Sequence, residues 1–403
     1  MPVRHWAARA LLVLLSLYLF AASAALSADP ISQAIALGNA SLVVEEGGKL
    51  AIAQNAERGM VPASTMKLVT ALAAIERWGL NHRFTTEFRQ GSDGRLWVVG
   101  KGDPYLVSEE LDQAIRGLRG RGITSVNGIG LDDTLFVADD RIPGRSATNN
   151  PYDAPVTALA VNFNTVNVSI SGGSVRSAEA QTALTATARR MAAGAGAGNQ
   201  RVNLKTRDNA LRHFGELIEL KLKAAGIRVN GDVQVGRAPG SSTLLLAHPN
   251  SRPLSTVVEN MLEYSTNFVA NNLFLLLGER GGQSSMALSQ RWMEDWARRK
   301  FGWRDFAIED GAGLSRGNRL SGRQLIDVLD AMEPYRNLVP QQDGNPNVRA
   351  KTGTLRGVST YAGWVRRGGE WAPFSLLINQ PVAYGFRNQV ASALASTPRL
   401  ARY

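Results

Sequence analysis

The middle of the chain has a strand-rich pattern that separates two ends with helical patterning. Short β-type runs bounded by turns occupy residues 84–88, 96–99, 129–131, 161–170, 202–204 and 233–235. The best helical pattern inside this region covers residues 209–225. Mixed patterning of this kind predicts an α/β or α+β protein whose main body is interrupted by an insertion in mid-chain.

The two ends have clearer elements. Residues 41–46 and 49–54 predict a hairpin around Gly47-Gly48. Helices are predicted over 255–277, with a break near 265–267, over 285–300, over 321–332 and over 388–395, and strands over 348–355, 360–365 and 374–378. Ser321 and Gln324 form a capping-box pattern. The Ala- and Gly-rich residues 185–199 predict a flexible surface loop.

The first 28 residues have the layout of a secretory signal peptide. Arg4 and Arg9 precede an apolar run over residues 10–22, and Ala22-Ser23-Ala24 follows as a small-residue cleavage pattern. We therefore expect an exported, periplasmic protein with no stable membrane anchor. The chain has no cysteine, so we expect neither a lipid anchor nor disulfides, and stability must come from a sizeable core.

Composition narrows the chemistry. Cysteine-ligated metal and thiol catalysis are excluded, and His82, His213 and His248 lie far apart without ligand spacing. We expect no metal and no cofactor. The formal charge of +11 favours an anionic envelope polymer over nucleic acid, because no basic run is interleaved with aromatic residues. A basic surface without a specific partner explains the charge equally well.

The stretch Pro62-Ala-Ser-Thr-Met-Lys67 places a hydroxyl three residues before an amine. Helical apolar spacing continues to Gly79, so Ser64 and Lys67 should share one face in the first turn of a helix. A serine needs a neighbouring base to become a nucleophile, and a lysine can serve if burial or a second cation lowers its pKa. Ser-x-x-Lys alone is weak evidence, because it arises by chance about once in a chain of this length.

Two further motifs follow in a fixed order: Ser265-Thr-Asn267 and Lys351-Thr-Gly353. Ser125-Val-Asn127 also fits the second pattern, but it lies in a Gly-rich turn, whereas residues 265–267 interrupt an apolar helical region. The chain has only eight lysines against 37 arginines, so a lysine in both required places strengthens the pattern.

This order of motifs resembles the penicillin-binding proteins and serine β-lactamases. The surrounding sequence resembles the D-alanyl-D-alanine carboxypeptidase/endopeptidase branch, the low-molecular-mass class C penicillin-binding proteins of peptidase family S13. That resemblance is carried by residues 62–67, 102–104, 154–164, 310–316 and 351–354. It implies a transpeptidase-like domain, an antiparallel sheet flanked by helices, formed by residues 29–84 and 246–403. The 197 residues between Lys67 and Ser265 imply a strand-rich insertion, residues 85–245, with one or two accessory domains.

The resemblance also implies catalytic roles. Ser64 would attack the carbonyl of the penultimate D-alanine of a peptidoglycan stem peptide to form an acyl-enzyme. Lys67 would be the base, with a pKa lowered by desolvation and by Lys351, and Ser265 would relay the proton to the leaving amine. The backbone N–H groups of Ser64 and Thr354 would hold the oxyanion.

The same resemblance implies substrate-binding roles. Asn267 would hold the substrate amide, and Lys351 would bind the free C-terminal carboxylate with help from the Thr352 hydroxyl. Gly353 would leave room for the substrate beside the strand. β-Lactams would act as covalent inhibitors.

Two departures from the family pattern are visible. Ala312 stands where serine is common, which should matter for packing rather than chemistry, and residues 144–153 lack a recognisable Trp and acidic pair for side-chain recognition. Two alternative functions stay open: a β-lactamase or esterase of the same fold, and a catalytically idle peptidoglycan-binding scaffold. The oligomeric state is open as well.

Overall fold

The computed structural model describes residues 29–137, 141–398 and 400. The predicted signal peptide, residues 1–28, lies outside this part of the chain. Among the described residues, no helix has the length and apolar character needed to cross a membrane.

Strands and helices alternate along the chain. The strands are β1 (Ala40–Glu46), β2 (Lys49–Gln54), β3 (Thr85–Gln90), β4 (Leu96–Val99), β5 (Ser125–Val126), β6 (Ile129–Asp132), β7 (Thr165–Ser171), β8 (Ser174–Ser177), β9 (Gly198–Asn203), β10 (Arg228–Val229), β11 (Val233–Val235), β12 (Thr243–Pro249), β13 (Gln341–Gln342), β14 (Asn345–Leu355), β15 (Val358–Arg367) and β16 (Glu370–Ile378). The α-helices are α1 (Pro30–Ile35), α2 (Met66–Trp78), α3 (Ser108–Gly120), α4 (Ala186–Ala192), α5 (Arg207–Ala224), α6 (Leu254–Glu263), α7 (Asn267–Leu277), α8 (Met286–Phe301), α9 (Gly322–Met332) and α10 (Phe386–Ser396).

The body is built on a six-stranded antiparallel sheet in the order β13-β14-β15-β16-β1-β2. Side chains alternate between its two faces. Leu42 and Val44 pack with α1 and α10 on one face. Val43, between them, faces the larger core formed with α2, α6, α7, α8 and α9. The sheet is therefore covered by helices on both sides, and the predicted mixed α/β class with an antiparallel sheet is confirmed.

Residues between β2 and α6 form one two-stranded parallel sheet, β10-β5, and two larger sheets. The five-stranded sheet has the order β11-β6-β4-β3-β12 and packs against α3 and α5. The three-stranded sheet β8-β7-β9 packs against α4. Each of these two larger sheets has its own hydrophobic core, separate from the two cores of the body.

Several predicted elements are confirmed with small shifts. The β1–β2 hairpin turns at Gly47-Gly48, and both glycines have positive φ. Gly79 ends α2 with φ +76°. The capping box of Ser321 and Gln324 begins α9.

The predicted loop over residues 185–199 is confirmed for residues 193–197 and is wrong on either side of them. Thr185 caps α4 by accepting a hydrogen bond from the Ala188 N–H, and β9 begins at Gly198. Ala188 and Ala192 are buried in the core of the three-stranded sheet. Small side chains here allow close packing of a short helix, and this tertiary contact overrides the loop-like composition. Helix α3, which the sequence pattern did not predict, packs against the five-stranded sheet.

Candidate active site

Ser64 lies at the entrance to helix α2. It belongs to a 3₁₀ turn, Ala63–Thr65, and the α-helix starts two residues later at Met66. The predicted position in the first α-helical turn is therefore slightly wrong, but the expected contact forms: Lys67 Nζ lies 2.9 Å from Ser64 Oγ. The tighter turn and the helix after it bring the hydroxyl and the amine together on one side.

Lys67 is completely buried and bonded to three oxygen acceptors. Besides Ser64, its Nζ donates to Asn267 Oδ1 at 2.8 Å and to the Ala312 carbonyl at 2.9 Å. Burial lowers the pKa of Lys67 well below its ordinary value, the Lys351 ammonium lowers it further, and Asp310 opposes the shift. A lowered pKa makes the neutral amine easier to reach, and the neutral amine is the form that can take a proton from the serine hydroxyl.

The second motif lies at the break between α6 and α7, as predicted. Ser265 has φ +53°, a left-handed conformation that costs a serine about 1–3 kcal/mol. This turn lets α7 begin at Asn267, whose amide Nδ2 donates to the Tyr152 carbonyl at 3.2 Å. Asn267 Oδ1 is thereby left to face Lys67. The competing Asn127 donates instead to the Asp93 carbonyl in the turn between β3 and β4.

The third motif lies on β14, next to β15. Lys351 is buried, and its pKa is lowered to about 8 by desolvation first and by Arg387 second, against an opposing effect of Glu263. The positive charge of Lys351 in turn lowers the pKa of Lys67. The period of a strand places Thr352 and Thr354 on the face opposite to Lys351.

Gly353 is the point at which β14 passes closest to the serine turn. A Cβ there would lie 2.8 Å from the Ser64 backbone nitrogen, 3.0 Å from the Pro62 carbonyl and 2.2 Å from Thr360 Oγ1. Only a residue without a side chain fits in this space. The Ser64 N–H is thus kept beside the strand with no side chain between them.

A loop after α8 supplies the third acceptor of Lys67. The Asp310 carboxylate is buried and accepts hydrogen bonds from the backbone N–H groups of Ala312, Leu314 and Ser315. Gly313 has φ +79°, and a Cβ on it would lie 1.8 Å from the Ala63 carbonyl. The loop therefore packs directly on the serine turn and presents the Ala312 carbonyl to Lys67, while the Ala312 side chain packs in the core.

Sequence reasoning missed three groups at this site. They are the Tyr152 and Ala312 carbonyls, which bond Asn267 and Lys67, and the Arg387 guanidinium, which bonds β14. The two carbonyls belong to the backbone and have no residue-type signature, and Arg387 reaches β14 only through the packing of α10. Among the described residues, no cluster of histidine and acidic side chains has the arrangement of a metal site.

The arrangement can support acyl transfer. It combines a serine hydroxyl, a base of lowered pKa, an amide that fixes this base, and a second ammonium on a strand beside the serine.

The sequence model of the D-Ala-D-Ala carboxypeptidase 3 (S13) family matches residues 26–343. The chain belongs to this family.

Curated relatives agree with this assignment over most of their length. The D-alanyl-D-alanine carboxypeptidase of Actinomadura sp. (strain R39) is 28% identical over 381 residues, which cover 76% of this chain and 71% of the relative. The D-alanyl-D-alanine carboxypeptidase DacB of Haemophilus influenzae is 25% identical over 399 residues, 81% of each chain.

Solved structures share the fold. The crystal structure of penicillin binding protein 4 (dacB) from Haemophilus influenzae matches with a TM-score of 0.76 at 22% identity and covers 93% of this chain and 99% of that one. A predatory peptidoglycan endopeptidase from Bdellovibrio bacteriovorus matches with a TM-score of 0.54 at 15% identity, over 89% and 91% of the two chains. The chain has the penicillin-binding-protein fold.

Proposed function

We propose that this protein is a serine D-Ala-D-Ala carboxypeptidase and DD-endopeptidase that acts on peptidoglycan stem peptides and is acylated by β-lactams. The observation that carries the proposal is the contact of one buried amine, Lys67 Nζ, with both Ser64 Oγ and Asn267 Oδ1. Family membership and the names of the curated relatives support the same substrate class.

In the proposed acylation, Ser64 Oγ attacks the carbonyl carbon of the penultimate D-alanine. Neutral Lys67 takes the hydroxyl proton, and the negative charge that develops on the carbonyl oxygen is held by the N–H groups of Ser64 and Thr354. Ser265 gives its hydroxyl proton to the leaving nitrogen and receives the proton that Lys67 accepted from Ser64, so that Lys67 becomes neutral again as the C–N bond breaks. The amine product leaves, and water then attacks the ester, which restores the Ser64 hydroxyl and releases the shortened peptide.

In the proposed substrate complex, the peptide lies along β14. Lys351 binds the C-terminal carboxylate, and Asn267 binds the amide of the peptide. The Thr352 hydroxyl lies on the other face of β14 and is left out of this contact. Gly353 lets β14 lie directly against the serine turn, so a peptide along this strand is kept close to Ser64. A lysine whose pKa is about 8 is still a cation at neutral pH, which suits an anionic chain end.

We further propose a discontinuous catalytic domain of residues 29–84 and 246–403, with residues 85–245 as an inserted accessory region. The core of the five-stranded sheet supports this division. Strand β12 extends that sheet to Pro249, and Phe136, Ile142, Ala158 and Ala160 of the insertion pack into the core of the body. Residues 1–28 would direct export, and the mature enzyme would act in the periplasm.

Incubation with purified muropeptides, followed by mass analysis, tests the proposal. We expect loss of a terminal D-alanine from pentapeptide monomers and conversion of cross-linked dimers to monomers. Ser64→Ala should abolish both, and Ser171→Ala, which alters an exposed serine at the end of β7, should change neither. Absence of both products with the folded, unsubstituted protein would refute the proposal. Rapid, repeated turnover of excess penicillin would indicate a β-lactamase instead.

A further inference from the structure

Arg387 holds the strand that contains the third motif. From the start of α10, its Nη1 donates to the Gly353 carbonyl at 2.7 Å and to Thr354 Oγ1 at 2.8 Å. The two acceptors are consecutive residues of β14, and they follow Lys351, the residue proposed to bind the substrate carboxylate. The arginine thus fixes the place where the strand passes the serine turn.

The Gly353 carbonyl and the Thr354 N–H belong to the same peptide group. A hydrogen bond to the carbonyl oxygen fixes the plane of that group, so it also fixes the direction of the N–H. It also polarises the group, because a carbonyl that accepts a bond from a cation makes its amide N–H a stronger donor. In the proposed reaction this N–H is one of the two oxyanion donors.

The position of Arg387 is electrostatically unfavourable. A cation in the first turn of a helix opposes the helix dipole, and this one also lies close enough to Lys351 to lower its pKa. In the described part of the chain, no carboxylate lies within ion-pair distance of the half-buried Arg387 guanidinium. Its two hydrogen bonds to β14 are the interactions that offset this unfavourable position.

We propose that Arg387 is a positioning residue that orients and polarises the Gly353–Thr354 peptide group for oxyanion stabilisation. This inference rests on the proposed function. It requires that the loss of Arg387 slow the chemical step of acylation and leave the initial, non-covalent binding of a β-lactam almost unchanged.

Stopped-flow acylation by a fluorescent penicillin separates these two quantities, the acylation rate constant k2 and the dissociation constant K of the initial complex. Removal of an oxyanion donor lowers the rate of the chemical step by about 10²–10³-fold. In Arg387→Met the Thr354 N–H is still present but is no longer oriented by the arginine, so k2 should fall by a smaller factor, about 10–100-fold. K should change by less than about threefold, because ground-state contacts are retained. Arg387→Lys, which can still donate to both acceptors, should recover part of k2.

Arg349→Met is the matched control. Arg349 lies on the same strand and also donates to a backbone carbonyl, that of Val339 at 3.0 Å, but it does not bond the Gly353–Thr354 peptide group. Its replacement should leave k2 within about twofold, as for a substitution away from the reacting groups. The thermal midpoint of each variant shows whether it is folded.

The outcomes are distinct. An unchanged k2 in Arg387→Met would overturn the inference alone, provided that the unsubstituted protein is acylated. Equal losses in Arg387→Met, Arg387→Lys and Arg349→Met would also overturn it, since they would indicate a general structural effect. Failure of the unsubstituted protein to be acylated would overturn the proposed function and the inference together.

Discussion

Replacing Gly353 by alanine tests the close approach between β14 and the serine turn. The added methyl group meets three atoms at once: Thr360 Oγ1 at 2.2 Å, the Ser64 nitrogen at 2.8 Å and the Pro62 carbonyl at 3.0 Å. None of these separations is an ordinary van der Waals contact, so the strand and the serine turn must move apart.

The expected loss follows from the size of this movement. Overpacking in a core costs about 1–3 kcal/mol of the free energy of unfolding. A displacement of about 1 Å between a nucleophile and its oxyanion donors can cost about 10²-fold in rate. We therefore expect Gly353→Ala to fold with a lowered thermal midpoint and to be acylated by a fluorescent penicillin about 100-fold more slowly.

A second substitution separates stability from activity. Thr360→Ala removes the atom at 2.2 Å, and the Pro62 carbonyl that Thr360 bonds still accepts from Thr65 Oγ1 at 2.6 Å. The double variant Gly353→Ala/Thr360→Ala should therefore regain much of its stability but little of its acylation rate, because the contact with the Ser64 nitrogen persists. Gly38→Ala, where nothing lies within 4 Å of an added Cβ, is the control. Acylation of Gly353→Ala within twofold of the unsubstituted protein would refute the reasoning.

Three further predictions concern the charged groups of the site. The acylation rate should fall at acid pH, because the Lys67 amine gains a proton there and can no longer act as a base. The rate should fall again above about pH 8, because Lys351 then loses its charge. A pH–rate profile without the alkaline fall would contradict the role of Lys351. Lys67→Met removes the base at nearly constant volume and should slow acylation by about 10²–10⁴-fold, measured by labelling time courses, with the protein still folded. The Asp310 carboxylate accepts hydrogen bonds from three backbone N–H groups and from Asn318 Nδ2, and Asp310→Asn replaces it with a group that also donates. The free energy of unfolding measured in urea should therefore fall by about 2–4 kcal/mol. An unchanged urea midpoint would contradict this account of the loop.

The extent to which the fold could be predicted depends on how local each signal is. Gly79 and the Ser321–Gln324 capping box end and begin helices through contacts within one turn, so their residue types indicate the boundaries directly. Helix α4 has one local signal, the Thr185 cap, but it is only seven residues long and its stability comes from burial of Ala188 and Ala192 against a sheet formed by other segments.

The same distinction applies to the site. The spacing of Ser64 and Lys67 predicts their contact because one turn is enough to form it. The geometry of Ala63, with φ +47°, depends on the approach of Gly313 from a loop 250 residues away, and the bonds of Arg387 depend on how α10 packs on β14. Contacts of this kind are set by tertiary structure and leave no pattern in neighbouring residues.

Mass spectrometry of the penicillin-treated, folded protein tests the central claim most directly. The claim is that the buried Lys67 amine activates the hydroxyl of Ser64. We expect one adduct per chain, located by peptide mapping on Ser64, and no adduct in Ser64→Ala or, over the same time, in Lys67→Met. An adduct on another residue, or equally fast labelling of Lys67→Met, would contradict the account.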